Sequence, residues 1–474
     1  MSGRSGALGR SADARPLVGL SVRTIGAHPA GWRMAGAHRN PYDDGRALAR
    51  IAREAERVHL DFLYLGDWLS VNPELELTDP YLLSRIDPLT AASSLSAITR
   101  RIALIATVNT NSSDPATVAR AAASIDILSG GRFGLNLAVG SDGAGSTTIH
   151  NAAGADDRYE VALEYVEVLR QLWDSRAEDA FVADASTGML LDRSRTAIVR
   201  HRGRHFAVDG PPPIARPVQG HVPLAHLGAS HRSRRLAGAV ADLHFLAVSD
   251  LDEARSAAAE LRAEAEAAGR EPGAVAAVTS LSPIIGETTA DAWAVYDRLV
   301  ELLPTADDAP RADGVTLPPQ RSAASVKKAV GVPLLDRRLD DEVAPADAGR
   351  FNATGEGLLR IVRSRSGRVP GTARPVTYRH LLAAQLVPSP LIVGSADEIA
   401  DHVELWFREG AADGFSVLSA QVHDQVEAFT RLVVPRLIER GLFSPDGRRR
   451  TLRERLGVPS PRWTADEGQE RRRA

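Results

Sequence analysis

The sequence predicts an α/β fold, an eight-stranded parallel (β/α)8 barrel carrying lid-forming insertions. Two observations carry that expectation. Eight short apolar runs, rich in β-branched or aromatic residues and bounded by Gly, Asp or Asn, recur along the 474 residues. Between them lie longer segments whose apolar residues repeat at helical spacing. A strand, a helix and a second strand joined in that order form a crossover, so the strands run parallel, and eight such units close into a barrel with no free edge.

The runs follow in order. LVGLSV opens at Leu17, LDFLYLG at Leu60, IALIATV at Ile102 and FGLNLAVG at Phe133. VPLAHLG follows from Val222, LHFLAV from Leu243, AVAAVTSLSPII from Ala274 and FSVLSA from Phe415. Apolar character on both faces is what a parallel strand needs, because helices cover one side and the barrel interior the other. The clearest helix is DDRYEVALEYVEVLRQLWDS, in which Ala162, Tyr165, Val166, Leu169, Leu172 and Trp173 form one face and Glu160, Glu164 and Glu167 the other. Similar faces run over 45–58, 115–128, 251–268, 396–409 and 422–440. The barrel is expected over 17–445 as one domain, with insertions at about 176–220, which contains PPPIARP, and 305–390. Residues 1–16 are expected to form an N-terminal tail, and the Arg-rich residues 446–474 a solvated C-terminal one.

Composition narrows the chemistry. With 57 Lys+Arg against 60 Asp+Glu, the net charge is −3, which argues against a nucleic-acid partner. The chain has no Cys, which removes disulfides, Cys-ligated metal and thiol nucleophiles, and its only lysines are Lys327 and Lys328. No apolar run is long enough to span a membrane, so a cytoplasmic protein is expected. There is no GxxxxGK[ST] loop, HExxH helix or GxSxG elbow. HRGRH at His201 lacks a third ligand at recognisable spacing, so no metal site is expected. Gly140, Gly143 and Gly145 are ordered GxxGxG, which argues against a self-contained nicotinamide domain.

In an α/β barrel the loops after the strands carry function. Asp67 closes FLYLGD, Asn109 closes IALIATVN, Asn136 lies within FGLNLAVG, and Gly228-Ala229-Ser230 ends VPLAHLG just before a helix. Singly, these residues read as helix caps and turn formers. Together on one barrel face they describe a polar mouth, with a Gly-Ala-Ser turn whose backbone N–H groups suit a phosphate.

Longer stretches carry a resemblance. They are AGWR at Ala30, GRALARIAREAERVHLDFLYLGD at Gly45, DPLTAASSLSAITRRIALIATVNT at Asp87 and AASIDILSGGRFGLNL at Ala122, then DDRYEVALEYVEVLRQLWDS at Asp156 and QGHVPLAHLGAS at Gln219. VGSADEIADHVELWFREGAADGFSVL at Val393, FTRLVVPRLIERGLF at Phe429 and TLRERLGV at Thr451 complete the series. In this order they resemble the bacterial luciferase-like flavin monooxygenases, within them the group of the nitrilotriacetate, dibenzothiophene-sulfone and long-chain alkane monooxygenases.

The resemblance implies a barrel that binds FMN, takes it as FMNH2 from a separate NAD(P)H:flavin reductase, and uses O2 to oxygenate a small organic substrate. A homo-oligomer, dimer or tetramer, is implied too. Carried over by position, Asp67 and Asn109 line the flavin ring and ribityl chain, Tyr159 and Ser230 contact the phosphate, and Gly228, Ala229 and Ser141 complete the cofactor set. His28, Asn136 and His150 are the candidate catalytic or orienting groups. Three departures stand out: NLAVGS replaces a pattern like NVVTS, shifting Ser141 by one residue; Ala155 stands where many relatives have His; and SSDPATVAR lacks the usual aromatic residue. These departures keep two alternatives open, a coenzyme F420 (deazaflavin)-dependent oxidoreductase of the same superfamily and a degenerate barrel that binds little flavin.

Overall fold

The computed structural model describes residues 15–67, 86–140, 157–210, 213–305, 322–332, 337–387, 391–445 and 450–463. All eight expected runs are strands: β1 (Leu17–Ser21), β2 (Phe62–Leu65), β3 (Ala103–Asn109), β4 (Phe133–Ala138), β9 (Leu224–Gly228), β10 (Leu243–Leu246), β11 (Ala276–Ile285) and β13 (Gly414–Leu418). They pair in the order β10-β9-β4-β3-β2-β1-β13-β11, and a β10–β11 ladder closes the ring. Every one of these ladders is parallel. One further strand, β12 (Leu391–Gly394), pairs with Ser282–Ile285 at the outer end of β11. The sequence reading missed it because four residues bordering an insertion carry no periodicity.

Helices wrap the ring: α1 (Asp44–Arg57), α2 (Pro88–Ile98), α3 (Pro115–Ser129), α4 (Asp157–Trp173), α5 (His231–Val240), α6 (Leu251–Ala267), α7 (Thr289–Glu301) and α12 (Ala396–Arg408). Their starts are chemically marked. Asp87, Asp114, Ser230 and Asp250 each accept a hydrogen bond from the third residue of the helix they open, and Thr288 and Ser395 form capping boxes with Asp291 and Glu398. Inside the ring, Phe62, Tyr64, Ala103, Ile105, Ala225, Leu243, Phe245 and Val278 make a filled core, with the rings of Tyr64 and Phe245 4.3 Å apart.

A repeated device seals the bottom of the barrel. Asp61, Asp242 and Asp413 each stand one residue before a strand, and each accepts the first free N–H of the neighbouring strand: Val18 at 2.9 Å, Leu224 at 2.9 Å and Ala277 at 2.8 Å. A carboxylate there answers a donor that the ladder leaves open. Arginines from the C-terminal segment meet two of these acids, Arg455 to Asp61 at 3.2 Å and Arg453 to Asp242 at 3.8 Å. Both arginines belong to α15 (Leu452–Leu456), which also inserts Leu452, 3% exposed, into the barrel core. Residues 450–463 therefore depart from the expected solvated tail, because Arg453 and Arg455 reach acids far away in sequence and Leu452 is buried.

The region 176–220 contains two hairpins, β5 (Phe181–Asp184) with β6 (Met189–Leu191) and β7 (Val199–Arg202) with β8 (Ala207–Gly210). Glu164 of α4 pins the second, taking hydrogen bonds from the N–H groups of His205 and Phe206 and contacting His201 at 3.2 Å. Both His of HRGRH are thus held at a hairpin. Within 305–390 lie α8 (Ala323–Val330), α9 (Pro345–Ala348), α10 (Ala353–Ser366) and α11 (Tyr378–Leu386), which build a second core with Tyr296 and Leu299 of α7. The chain then ends through α13 (Asp424–Ala428), a π turn and α14 (Val434–Glu439) before α15. Among the described residues, no helix is long and apolar enough to cross a membrane.

Candidate active site

The C-terminal strand ends gather the polar groups. Asn136 of β4, 2% exposed, donates from Nδ2 to the Tyr64 hydroxyl of β2 at 3.1 Å and to Thr107 Oγ1 of β3 at 3.1 Å. Its Oδ1 is sealed from solvent and, among the described residues, accepts no hydrogen bond. Leaving such an acceptor unmet costs about 1–3 kcal/mol, so it is poised for a donor brought by a ligand. Burial, opposed by the hydrogen bond with Thr107, raises the pKa of Tyr64 and keeps its hydroxyl protonated. Tyr64 and Thr107 were not singled out from sequence. The signal was there: each lies two residues beyond an interior residue, Phe62 and Ile105, and so points to the same side of its strand.

Leu227 stands two residues beyond the interior Ala225 and is 46% exposed, giving the mouth an apolar surface next to Gly228. At the turn itself, Ser230 caps α5, its Oγ accepting from Ser233 N at 3.1 Å. Tyr159, the third residue of α4, brings its hydroxyl to 3.2 Å from Ser230 Oγ. The guanidinium of Arg158 lies 5.3 Å from the Tyr159 ring centre. Two hydroxyls, a nearby cation and the N-terminal end of a ten-residue helix make an anion cradle. Outside it, Arg234 donates to the Ala229 carbonyl and, at 2.6 Å, to Glu260, which also meets His231 at 2.5 Å.

The other expected residues are distributed as follows. Asn109 ends β3 with Oδ1 accepting from Asn111 N at 2.9 Å, so the turn-forming reading describes that atom, while its Nδ2 faces Gly140. Gly140, two residues beyond β4, adopts φ +72°, a conformation that suits glycine. His28 is buried in the β1–α1 loop, Nδ1 accepting from Ala30 N at 3.1 Å. Asp67 follows β2 on the same face as the mouth. Ser141, His150 and Ala155 lie outside the described residues.

Residues 25–413 match the family model of the luciferase-like monooxygenases. The chain belongs to that family. This monooxygenase is 30% identical to the N-acetyl-S-(2-succino)cysteine monooxygenase of Bacillus subtilis (strain 168), covering 94% of this chain and 97% of the relative. It is 30% identical to the dibenzothiophene-sulfone monooxygenase of Rhodococcus erythropolis, covering 92% and 94%. Among solved structures, a riboflavin lyase with modified FMN and riboflavin superposes with a TM-score of 0.74 at 25% identity, over 96% of this chain and 99% of that one. An F420-dependent secondary alcohol dehydrogenase is distant, with 13% identity and a TM-score of 0.54, and shares the fold alone. The monooxygenase is accordingly an oxidoreductase of the flavin-dependent class.

Proposed function

We propose that the monooxygenase binds FMN at this mouth, receives it reduced from a separate NAD(P)H:flavin reductase, and oxygenates a small organic substrate in the cytoplasm as a homo-oligomer. The observation that carries the cofactor reading is the convergence of Tyr159 and Ser230 at the start of α5. Those hydroxyls and the turn 228–230 would hold the phosphate. The exposed face of Leu227 would lie against the ring, and Asp67, Asn109 and Ser141 would flank the ring and its ribityl chain. The fit is chemical: an anion cradle, an apolar patch and a buried amide acceptor at Asn136 match the phosphate, flat ring and N–H groups of a flavin. Reduced FMN, when bound, supplies the electrons with which O2 yields one oxygen atom to substrate and the other to water.

The protein's own part is binding, orientation and exclusion of water. Tyr64 and Thr107 hold the Asn136 amide in one orientation, and the packed ring below them bars solvent from beneath. His28 and His150 are the candidates for moving a proton near substrate, and the insertions at about 176–220 and 305–390 would close over the mouth as lids. The test is a titration with FMN, with FMNH2 under anaerobic conditions and with F420, followed by substrate-dependent O2 uptake in the presence of a flavin reductase. Preferred binding of FMNH2 with substrate-dependent uptake supports the proposal. Preference for F420, or no binding of either flavin, overturns it.

A further inference from the structure

Behind the phosphate turn lies a pair of buried histidines with no place in the chemistry above. His226 of β9 and His244 of β10 are register partners, and their rings stack 5.6 Å apart at 22°. They alternate with the interior residues Ala225, Leu243 and Phe245, so they face outward, between the strands and the helices. Burial pushes the pKa of His226 down to about 4 and that of His244 to about 3, so both rings are neutral at ordinary pH.

A neutral imidazole has one donor and one acceptor. On His226, Nδ1 lies 2.7 Å from the Leu137 carbonyl of β4, which only accepts, so Nδ1 carries the proton and Nε2 is the acceptor. Ser233 Oγ, 2.7 Å from Nε2, must then donate to it. That single arrangement fixes the Ser233 rotamer. Its backbone N–H donates to Ser230 Oγ at 3.1 Å, and its hydroxyl occupies the space beside Gly228, where an added Cβ would stand 2.1 Å from Ser233 Oγ and 3.7 Å from His226 Nε2. The path Leu137–His226–Ser233–Ser230 thus runs from the end of one barrel strand to the hydroxyl that meets Tyr159.

We propose that His226 is a positioning residue for the phosphate-binding turn, acting through Ser233 to set where Ser230 presents its hydroxyl. The proposal rests on the reading of Tyr159 and Ser230 as phosphate ligands. It differs from a merely structural role in one respect: it predicts a loss confined to ligands that carry the phosphate. Glutamine at 226 has an amide N–H and a carbonyl oxygen to replace the donor and acceptor of the ring, whereas leucine has neither.

The experiment measures dissociation constants for FMN and for riboflavin, which lacks the phosphate, in the wild type and in H226L, H226Q, S233A and S230A. H226L and S233A are expected to weaken FMN about tenfold while riboflavin stays within about twofold, and H226Q to retain FMN within about threefold. Equal weakening of FMN and riboflavin in H226L and S233A would make His226 a packing residue and overturn the proposal. So would an unchanged FMN affinity in both while S230A loses it. If S230A leaves the FMN-to-riboflavin ratio unaltered, the phosphate reading itself fails, and the role of His226 with it. S233A, a smaller change on the buried face of α5, carries the same test should H226L not fold.

Discussion

The hydroxyls of Tyr159 and Ser230 lie 3.2 Å apart although 71 positions separate them. One comes from the first turn of α4, the other from the cap of α5, and the barrel places β4 beside β9 so that the two helices begin side by side. Hydroxyls that hydrogen-bond to each other in the free protein can both turn toward an anion. The start of α5 adds a partial positive charge at the same spot.

Replacing Tyr159 by Phe or Ser230 by Ala is expected to weaken FMN affinity by roughly tenfold or more, the scale of a lost hydrogen bond to a charged group. The two variants separate in stability. Ser230→Ala also loses a helix cap, worth about 1 kcal/mol, whereas Tyr159→Phe stays near wild type. Flavin fluorescence titration and urea unfolding read the two effects, and unchanged FMN affinity in both variants would remove the phosphate site from this turn.

Asn136→Ala removes the amide that Tyr64 and Thr107 hold in place, and Asp67→Ala a carboxylate beside the mouth. Each is expected to release more hydrogen peroxide per O2 consumed when flavin reductase and substrate are present, because the oxygen chemistry then runs in a poorly ordered site. Coupling at the wild-type level in Asp67→Ala would return that residue to a turn-forming role.

Leu452→Ala opens a cavity in the barrel floor and is expected to cost ~2–5 kcal/mol in urea unfolding. The ratio of FMN to riboflavin affinity should not move, since the mutation lies at the end of the barrel opposite the mouth. A change in that ratio would mean that the floor and the mouth are coupled.

Asp297 on α7 binds Arg368 at 2.8 Å, Arg374 at 2.9 Å and His380 at 3.4 Å, tying the insertion to the barrel. Burial works to raise its pKa, but the hydrogen bonds from His380 and Arg368 prevail and hold it down to about 2. A depressed carboxylate contributes stability above its unfolded pKa, near 4, and loses it as the pH falls toward 2. Wild type should therefore exceed Asp297→Asn by ~1–2 kcal/mol at pH 6, after allowance for solvent screening, and the gap should shrink between pH 4 and pH 2. Hydrogen exchange of α10 and α11 against pH measures it, and a constant gap would assign the contact to packing.

The legible part of this protein was local. The eight strand runs, the amphipathic faces and the acidic or hydroxyl caps each depend on residues within a turn or two, so periodicity and capping chemistry exposed them. Ser230 is the instructive case, since its capping role and its place at the mouth were both readable. The triple use of Asp61, Asp242 and Asp413 escaped because a single Asp before a strand looks like an ordinary turn residue until its neighbour's free N–H is known.

By itself, then, the sequence determined the barrel, its helical jacket and the strand ends where chemistry would lie, because hydrophobic spacing selects secondary structure and eight βα units leave few ways to close a sheet. Tertiary structure alone decided which side chains meet. It set Asn136 against Tyr64 and Thr107, placed His226 behind Ser233, and turned an Arg-rich end into a plug whose Arg455 finds Asp61 across 394 positions. Those contacts are fixed by strand order and register in three dimensions, and no local pattern encodes a partner that distant in the chain.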